Sequence, residues 1–146
     1  MAGMDDWRPI GKHVMRIDGD VLFARTQGEI TGDEVITLLQ HLQQIEHRYG
    51  YAFEVVDASV GGNMSADARR QNAAWHKQNR IHIEVVVFGA SLLIRTMVTL
   101  LSNAFRLLGS QQITPHFFAS EADAWAWVEK RRVELRAKKS PPSATV

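Results

Sequence analysis

Segments rich in β-forming residues alternate with amphipathic helical segments, and this alternation restricts the folds open to the chain. After residue 50, three β-rich segments are each followed by a helical segment. The strands are predicted over 51–58, 81–88 and 112–118, and the helices over 65–79, 91–108 and from 120 onward. Strands that are joined by helical crossovers lie parallel in one sheet. The pattern therefore predicts an α/β fold with a mostly parallel sheet.

Two short β-rich segments, 13–17 and 21–26, precede these units and flank Asp18-Gly19-Asp20. An Asp-Gly pair supplies the positive φ of a tight turn, so the two segments are predicted to form an antiparallel hairpin. Thr31 then caps a predicted helix over 32–48, in which apolar residues recur three and four positions apart. The expected domain contains about five strands in a mixed, mostly parallel sheet, with four helices and an opening β-hairpin.

The composition is that of one ordinary domain with its own core. The chain has 146 residues, 45% of them hydrophobic, and no Cys. The absence of Cys excludes disulfides, thiolate metal sites and a Cys nucleophile. We expect a flexible leader over 1–11, a domain over 12–137 and a disordered tail over 138–146.

Hydropathy and charge predict a cytoplasmic protein without stable membrane insertion. The longest apolar run, 85–94, contains Gly89 and Ser91, whereas a membrane-spanning helix needs about 20 apolar residues. The first residues lack the basic and the apolar region of a secretory signal, so we expect none. The net charge is +1, and the basic residues form two local patches rather than a broad field, so no nucleic-acid partner is expected.

The order of these elements resembles the SpoIIAA-like branch of the STAS superfamily, which is grouped with Sec14/CRAL-TRIO-like folds. The resemblance covers about residues 12–136. It includes Val55-Val56-Asp57-Ala58-Ser59 before a Gly-bearing loop over 59–64, and a closing strand that leads to a Ser120-capped helix. The resemblance implies a non-catalytic, regulatory bacterial domain that acts by protein–protein interaction with an unknown partner. The Sec14-like grouping implies an alternative, which is binding of a lipophilic small molecule or lipid.

The resemblance also suggests an interaction site around Ser65. Anti-sigma-factor antagonists carry Asp-Ser-Ser-Gly before the corresponding helix, and their second Ser is phosphorylated. Here the four positions are Asn63-Met64-Ser65-Ala66, so only the reactive Ser is retained. Ser is also a leading N-cap residue, and we favour capping over phosphorylation. The candidate interaction residues are Ser65, Ser59, Asp57, Arg69 and Arg70.

No catalytic or metal-binding constellation is visible in the sequence. The six His residues are scattered, and none forms the i, i+4 pair of a zinc helix. His82 and Glu84 share one strand face, and ordinary strand polarity explains them better than a metal site. Asp57 ends a predicted strand and is expected to accept hydrogen bonds from the following backbone. We predict no enzymatic activity and no cofactor.

The helix over 91–108 carries an apolar arc of about 180°, although packing on a sheet needs only about 100°. The surplus predicts a second contact, with another helix, a second subunit in a homodimer or an apolar ligand. Met97, Leu101 and Phe105 are assigned to this apolar ligand or dimer face. A polar stripe is expected to face solvent, at Ser91, Arg95, Thr99, Ser102 and Arg106.

The two remaining helices are predicted to carry solvated charges. On helix 65–79, Ala68 and Trp75 are expected to face inward, whereas His76 is expected in solvent with the basic residues. The last helix ends in six cations that the helix dipole favours there, namely Lys130, Arg131, Arg132, Arg136, Lys138 and Lys139. A solvated basic end is the expected arrangement.

Overall fold

The computed structural model describes residues 6–107 and 113–139. Within them, six strands form one sheet in the order in which they occur along the chain. The strands are β1 (Arg8–Ile10), β2 (His13–Asp18), β3 (Val21–Ile30), β4 (Ala52–Met64), β5 (Ile83–Phe88) and β6 (His116–Phe118). The helices are α1 (Gly32–Tyr49), α2 (Ala66–Gln78), α3 (Leu92–Leu107) and α4 (Glu121–Lys139).

The sheet is antiparallel from β1 to β3 and parallel from β3 to β6. The α/β class, the opening hairpin and the four helices are therefore confirmed. The additional strand is β1, which lies inside the predicted flexible leader and corrects that prediction for residues 8–10. Ile10 is buried at the end of β1, and the Trp7 ring packs edge-on against Phe23. These apolar contacts fix the segment on the sheet.

Strand β4 is longer than predicted, because the segment 59–64 continues the strand instead of forming a flexible loop. It pairs with an equally extended β3, and two register shifts interrupt the pairing. Gly28 and Gly62 have positive φ. A Cβ atom at Gly61 would lie 2.8 Å from the Gly28 backbone nitrogen. The glycines therefore permit a bulged, closely paired strand, which the sequence pattern does not distinguish from a loop.

Helices cover both faces of the sheet. Helix α4 packs its buried residues Ala124, Val128 and Leu135 on one face. Helices α1, α2 and α3 lie on the opposite face. The predicted apolar stripe of α1 is confirmed as buried, from Val35 to Ile45. Thr31 and Glu34 form a capping box that starts α1, and Gly50 ends it in the left-handed conformation.

The basic residues of α4 are only partly solvated, which corrects the predicted solvated end. Arg132 donates to both carboxylate oxygens of Asp20 at 2.9 and 2.8 Å, and Tyr51 donates to the same carboxylate at 2.8 Å. Arg131 pairs with Glu84 at 3.0 Å. Helix α4 continues to Lys139, beyond the predicted start of the tail, and residues 140–146 lie outside the described part.

These contacts control the charge of both carboxylates. Burial raises the pKa of Asp20, but the hydrogen bonds from Arg132 and Tyr51 outweigh burial and the pKa is lowered. Burial likewise opposes ionisation of Glu84, yet hydrogen bonds from His82 and Arg131 lower its pKa to about 2. The α4 face therefore holds two carboxylates that are ionised and compensated.

Arg132→Ala leaves the Asp20 carboxylate buried without its main counter-ion and should lower the free energy of unfolding by about 2–3 kcal/mol. Chemical denaturation at pH 7 measures this loss. Because the pKa of folded Asp20 is lowered, the pair stabilises the fold above the unfolded-state pKa. The difference between wild type and variant should therefore shrink as the pH falls through the folded-state value.

Arg70→Ala is the matched control, because Arg70 pairs with Asp67 and both side chains are more than half exposed. It should change stability by less than about 0.5 kcal/mol. Equal losses from the two variants would contradict a structural role for the Asp20 pair.

Candidate functional site

A cavity of about 120 Å³ lies between the sheet and helices α1, α2 and α3. Its lining is mostly aliphatic and includes residues from all three helices and from strands β3, β4 and β5. The apolar lining residues are Ile30, Val35, Leu38, Leu39, Val56, Ala58, Met64, Val85, Val87, Ile94, Val98, Ile113 and Pro115. A partly enclosed apolar cavity with few polar groups is the usual form of a small-molecule site.

Glu54 places a carboxyl group in the centre of this apolar surface. Side chains alternate along β4, so Phe53 and Val55 face α4, whereas Glu54 faces the cavity. Its register partners on the neighbouring strands are Leu22 and Val85. Both are apolar, so the sheet itself gives Glu54 no charged or polar cross-strand neighbour.

Glu54 makes no hydrogen bond or ion pair with any residue that the structure describes. The side chain of Glu54 is only partly accessible, and it faces the cavity. Burial raises its pKa to about 7. A carboxyl group in this state is a strong candidate for a functional residue, since no described residue compensates its charge.

Helix α2 contributes His76 and Asn72 to the lining, and α3 contributes Ser102. The structure corrects two predictions here, because His76 and Ser102 were expected in solvent and are 3% and 7% exposed. Ala68, Asn72 and His76 lie four residues apart, so they share one helix face. Burial lowers the pKa of His76 to about 4, which leaves the imidazole neutral near pH 7. Ser102 donates to the Val98 carbonyl oxygen at 3.0 Å.

The cavity holds one acidic side chain and one neutral imidazole, which suits binding of a ligand with an apolar body. Within the described residues, no group of three or more His, Asp or Glu side chains is placed to hold a metal ion. In the same part of the chain, no helix is both long enough and apolar enough to cross a membrane. The absence of a cofactor and of catalysis stays a prediction.

The predicted interaction residues do not form one cluster. Ser65 is the N-cap of α2, as predicted, and its hydroxyl accepts from the Ala68 backbone N–H at 2.9 Å. Arg69 donates to the Met64 carbonyl oxygen at 2.7 Å, and Arg70 points toward Asp67. No contact in the described structure joins either guanidinium to the Ser65 hydroxyl.

Asp57 and Ser59 form a separate local pair. Asp57 accepts from the backbone N–H of Ser59 at 3.1 Å and from its hydroxyl, so the predicted capping by Asp57 is confirmed for that residue. Arg25 lies 3.9 Å from the same carboxylate. At about 3.3 Å per strand residue, Ser59 and Ser65 are roughly 20 Å apart along β4. The structure therefore does not bring the five residues together.

Helix α3 has more apolar surface than the sheet buries. Leu92, Leu93 and Leu100 are 77%, 76% and 62% exposed, which confirms the predicted surplus. Met97 is half-buried, with its sulfur 3.9 Å from an Arg69 nitrogen. The side chains of Leu101 and Phe105, the other residues assigned to the apolar face, lie outside the described part. What covers this face stays a prediction.

Glu54 was not predicted as a site residue, although part of the signal for it was present. Ala52, Glu54, Val56 and Ala58 alternate on one face of the predicted strand 51–58, which lies inside the sheet between β3 and β5. A parallel central strand is covered on both faces, so any residue of that set must be buried. Glu54 is the one acidic residue among these otherwise apolar positions, and its burial therefore requires an explanation. His76 gave no comparable signal, because its position depends on how α2 is rotated against the sheet.

No protein-family model matches the chain, and no curated protein matches its sequence. Two solved structures are similar in fold. The anti-sigma factor antagonist SpoIIAA in its unphosphorylated form is 9% identical, with 81% of this chain and 96% of that chain covered and a TM-score of 0.47. An uncharacterized protein from the DUF3478 family with a SpoIIAA-like fold, from Shewanella loihica PV-4, is 18% identical. The match covers 77% of this chain and 88% of that chain, with a TM-score of 0.49.

These likenesses concern the arrangement of helices and strands alone. They agree with the SpoIIAA-like fold that the sequence resembles. At sequence identities of 9% and 18% they assign no role to any residue of the cavity. The evidence for a function therefore comes from the cavity itself.

Replacing the Ser65 cap tests what that side chain does for the fold. Ser65→Ala should lower the free energy of unfolding by about 0.5–2 kcal/mol, because the Ala68 N–H loses its acceptor. Ser65→Asp should restore most of the loss, since Asp caps equally well. Thermal or chemical denaturation of both variants provides the measurement. An Asp variant no more stable than the Ala variant would show that capping is not the role of Ser65.

Proposed function

We propose that this chain binds a small apolar molecule in the cavity between the sheet and helices α1 to α3. The observation that supports the proposal is the carboxyl group of Glu54, which has no partner among the described residues and belongs to a lining that is otherwise mostly aliphatic. A side chain whose only task is to fill a core position is apolar, because burying an uncompensated carboxyl costs stability. Glu54 is therefore best explained by a ligand that contacts it.

The volume of the cavity restricts the size of this ligand. An engineered apolar cavity of about 150 Å³ in another protein holds benzene, whereas drug-sized ligands occupy about 300–1,000 Å³. At about 120 Å³, the present cavity accommodates one small ring or a short alkyl chain. A complete lipid tail requires more space, so among lipophilic ligands we favour a small molecule.

Helix α2 is the element best suited to admit the ligand. Ala68 and His76 are its two buried residues and Trp75 packs partly buried against the core, whereas α1 has six buried residues, so α2 is the less firmly anchored helix. Segments that bury little apolar surface open at lower free-energy cost than the core. His76 and Asn72 on this helix line the cavity, and outward movement of α2 would expose it.

Filling the cavity tests the proposal. Toluene should bind the wild type. At a free toluene concentration of ten times the Kd, it should raise the free energy of unfolding by about 1.4 kcal/mol. Val98→Phe should abolish this stabilisation, because Val98 lines the cavity and a larger side chain occupies the ligand's space. Thr99→Phe is the matched control, since Thr99 is exposed on the next residue of α3 and should leave toluene binding unchanged.

Thermal denaturation with and without toluene, supported by NMR shifts of residues that line the cavity, measures both effects. Equal toluene binding by the wild type and Val98→Phe would place the ligand elsewhere. No binding of toluene by the folded wild type would contradict the proposed function.

Protein–protein interaction is a second candidate, favoured by the exposed leucines of α3. Leu93 and Leu100, together with Met97 and Arg69, line a surface groove of about 330 Å³ between α2 and α3. Exposed apolar surface of this kind is common at interfaces. If a second copy of the chain covers it, Leu100→Glu should convert a dimer to a monomer in light scattering. A wild type that is already monomeric would remove the homodimer from consideration.

A further inference from the structure

The described lining of the cavity contains an acidic side chain but no Lys or Arg. Among its described residues, the ionisable side chains are Glu54 and His76, and no Lys or Arg lines it. Helix α1 adds Val35, Leu38 and Leu39, and α3 adds Ile94, Val98 and Ser102, so the described side chains of these two helices offer no counter-ion there. The one group able to carry a charge near pH 7 is therefore acidic, and in the described structure it has no cation beside it.

We propose that the natural ligand is a small apolar amine, whose ammonium group pairs with the Glu54 carboxylate while its hydrocarbon part occupies the aliphatic lining. This inference rests on the proposed function and narrows it to one chemical class. It applies to ligands of about the size of one aromatic ring, as the cavity volume requires.

Charge complementarity favours an amine over an acid. A carboxylate ligand would bring a second negative charge into an apolar space and would have no cation to pair with. A neutral alcohol can hydrogen-bond to Glu54 but does not compensate its charge. An ammonium does both, and a hydrogen bond between charged partners is roughly twice as strong as one between neutral partners.

Loss of hydration opposes the binding of any ion. Its free-energy cost is smaller in this cavity than for an ion pair formed from two exposed groups. Two ions normally lose their hydration when a buried ion pair forms. In this cavity Glu54 is already partly buried before the ligand arrives, and burial raises its pKa. The carboxylate therefore has less hydration to lose on binding than an exposed one, whereas the attraction acts in a mostly apolar surrounding of low dielectric constant.

The pH dependence of binding distinguishes this pair from non-specific burial of an amine. Burial raises the pKa of Glu54 to about 7, so its carboxylate fraction rises between pH 6 and pH 8. The other titratable group that faces the cavity is His76 on α2, which stays neutral over this range because burial lowers its pKa to about 4. Benzylamine stays protonated throughout, so its affinity should rise with pH.

The experiment compares benzylamine, benzyl alcohol and benzoate, which share one ring and differ in charge. Protein-observed NMR titrations give the Kd of each for the wild type and for Glu54→Gln, which keeps the side-chain size and removes the charge. At pH 8 the wild type should bind benzylamine at least about tenfold more tightly than benzyl alcohol, and benzoate most weakly. Glu54→Gln should lose the preference for benzylamine and retain affinity for benzyl alcohol.

The outcomes separate this inference from the proposed function. Equal affinities of the wild type for benzylamine and benzyl alcohol, or a preference that persists in Glu54→Gln, would overturn the amine while leaving apolar binding intact. Failure of all three compounds and of toluene would overturn the proposed function itself. If Glu54→Gln does not fold, the pH profile of the wild type decides, because an affinity for benzylamine that does not change between pH 6 and pH 8 excludes pairing with Glu54.

Discussion

The pairing of β4 between β3 and β5 is the constraint from which the rest of the structure follows. Because residues 52–57 of β4 have a hydrogen-bonded strand on each side and helices on both faces, their side chains alternate between two layers. Phe53 and Val55 enter the layer beneath α4, and Glu54 enters the layer beneath α1 to α3. The cavity, its carboxyl group and the enclosing helices are consequences of this register.

The carboxylates on the two faces of the sheet differ in their partners. On the α4 face, Asp20 and Glu84 are paired with Arg132 and Arg131, and their pKa values are lowered. On the opposite face, Glu54 has no such partner in the described structure, and burial raises its pKa. Since this chain supplies arginines where a carboxylate serves the fold, a carboxyl that has no partner among the described residues and lies beside a cavity supports the proposed ligand as its partner.

The elements that local sequence determines were predictable, and those that depend on distant pairing were not. The Asp-Gly turn, the Thr31 and Ser65 caps and the buried stripe of α1 are encoded by neighbouring residues, and the structure confirms them. The extension of β4 depends on an equally long β3, which no local pattern reveals. The cavity depends on the rotation of α2, which turns His76 inward. Strand alternation places Glu54 on one face with Ala52 and Val56, but only the pairing of β4 with strands on both sides shows that this face lies inside the domain.

The proposed ligand site requires that the Glu54 carboxyl lies in a mostly apolar cavity without a counter-ion before the ligand binds. The most direct measurement is the titration of its side-chain carbon by ¹³C NMR in the ligand-free protein, with Glu54→Gln used to assign the resonance. A midpoint near pH 7 is the result that the structure predicts. A midpoint at or below the ordinary value of 4.5 would show that Glu54 is solvated or already paired, and would contradict the central claim.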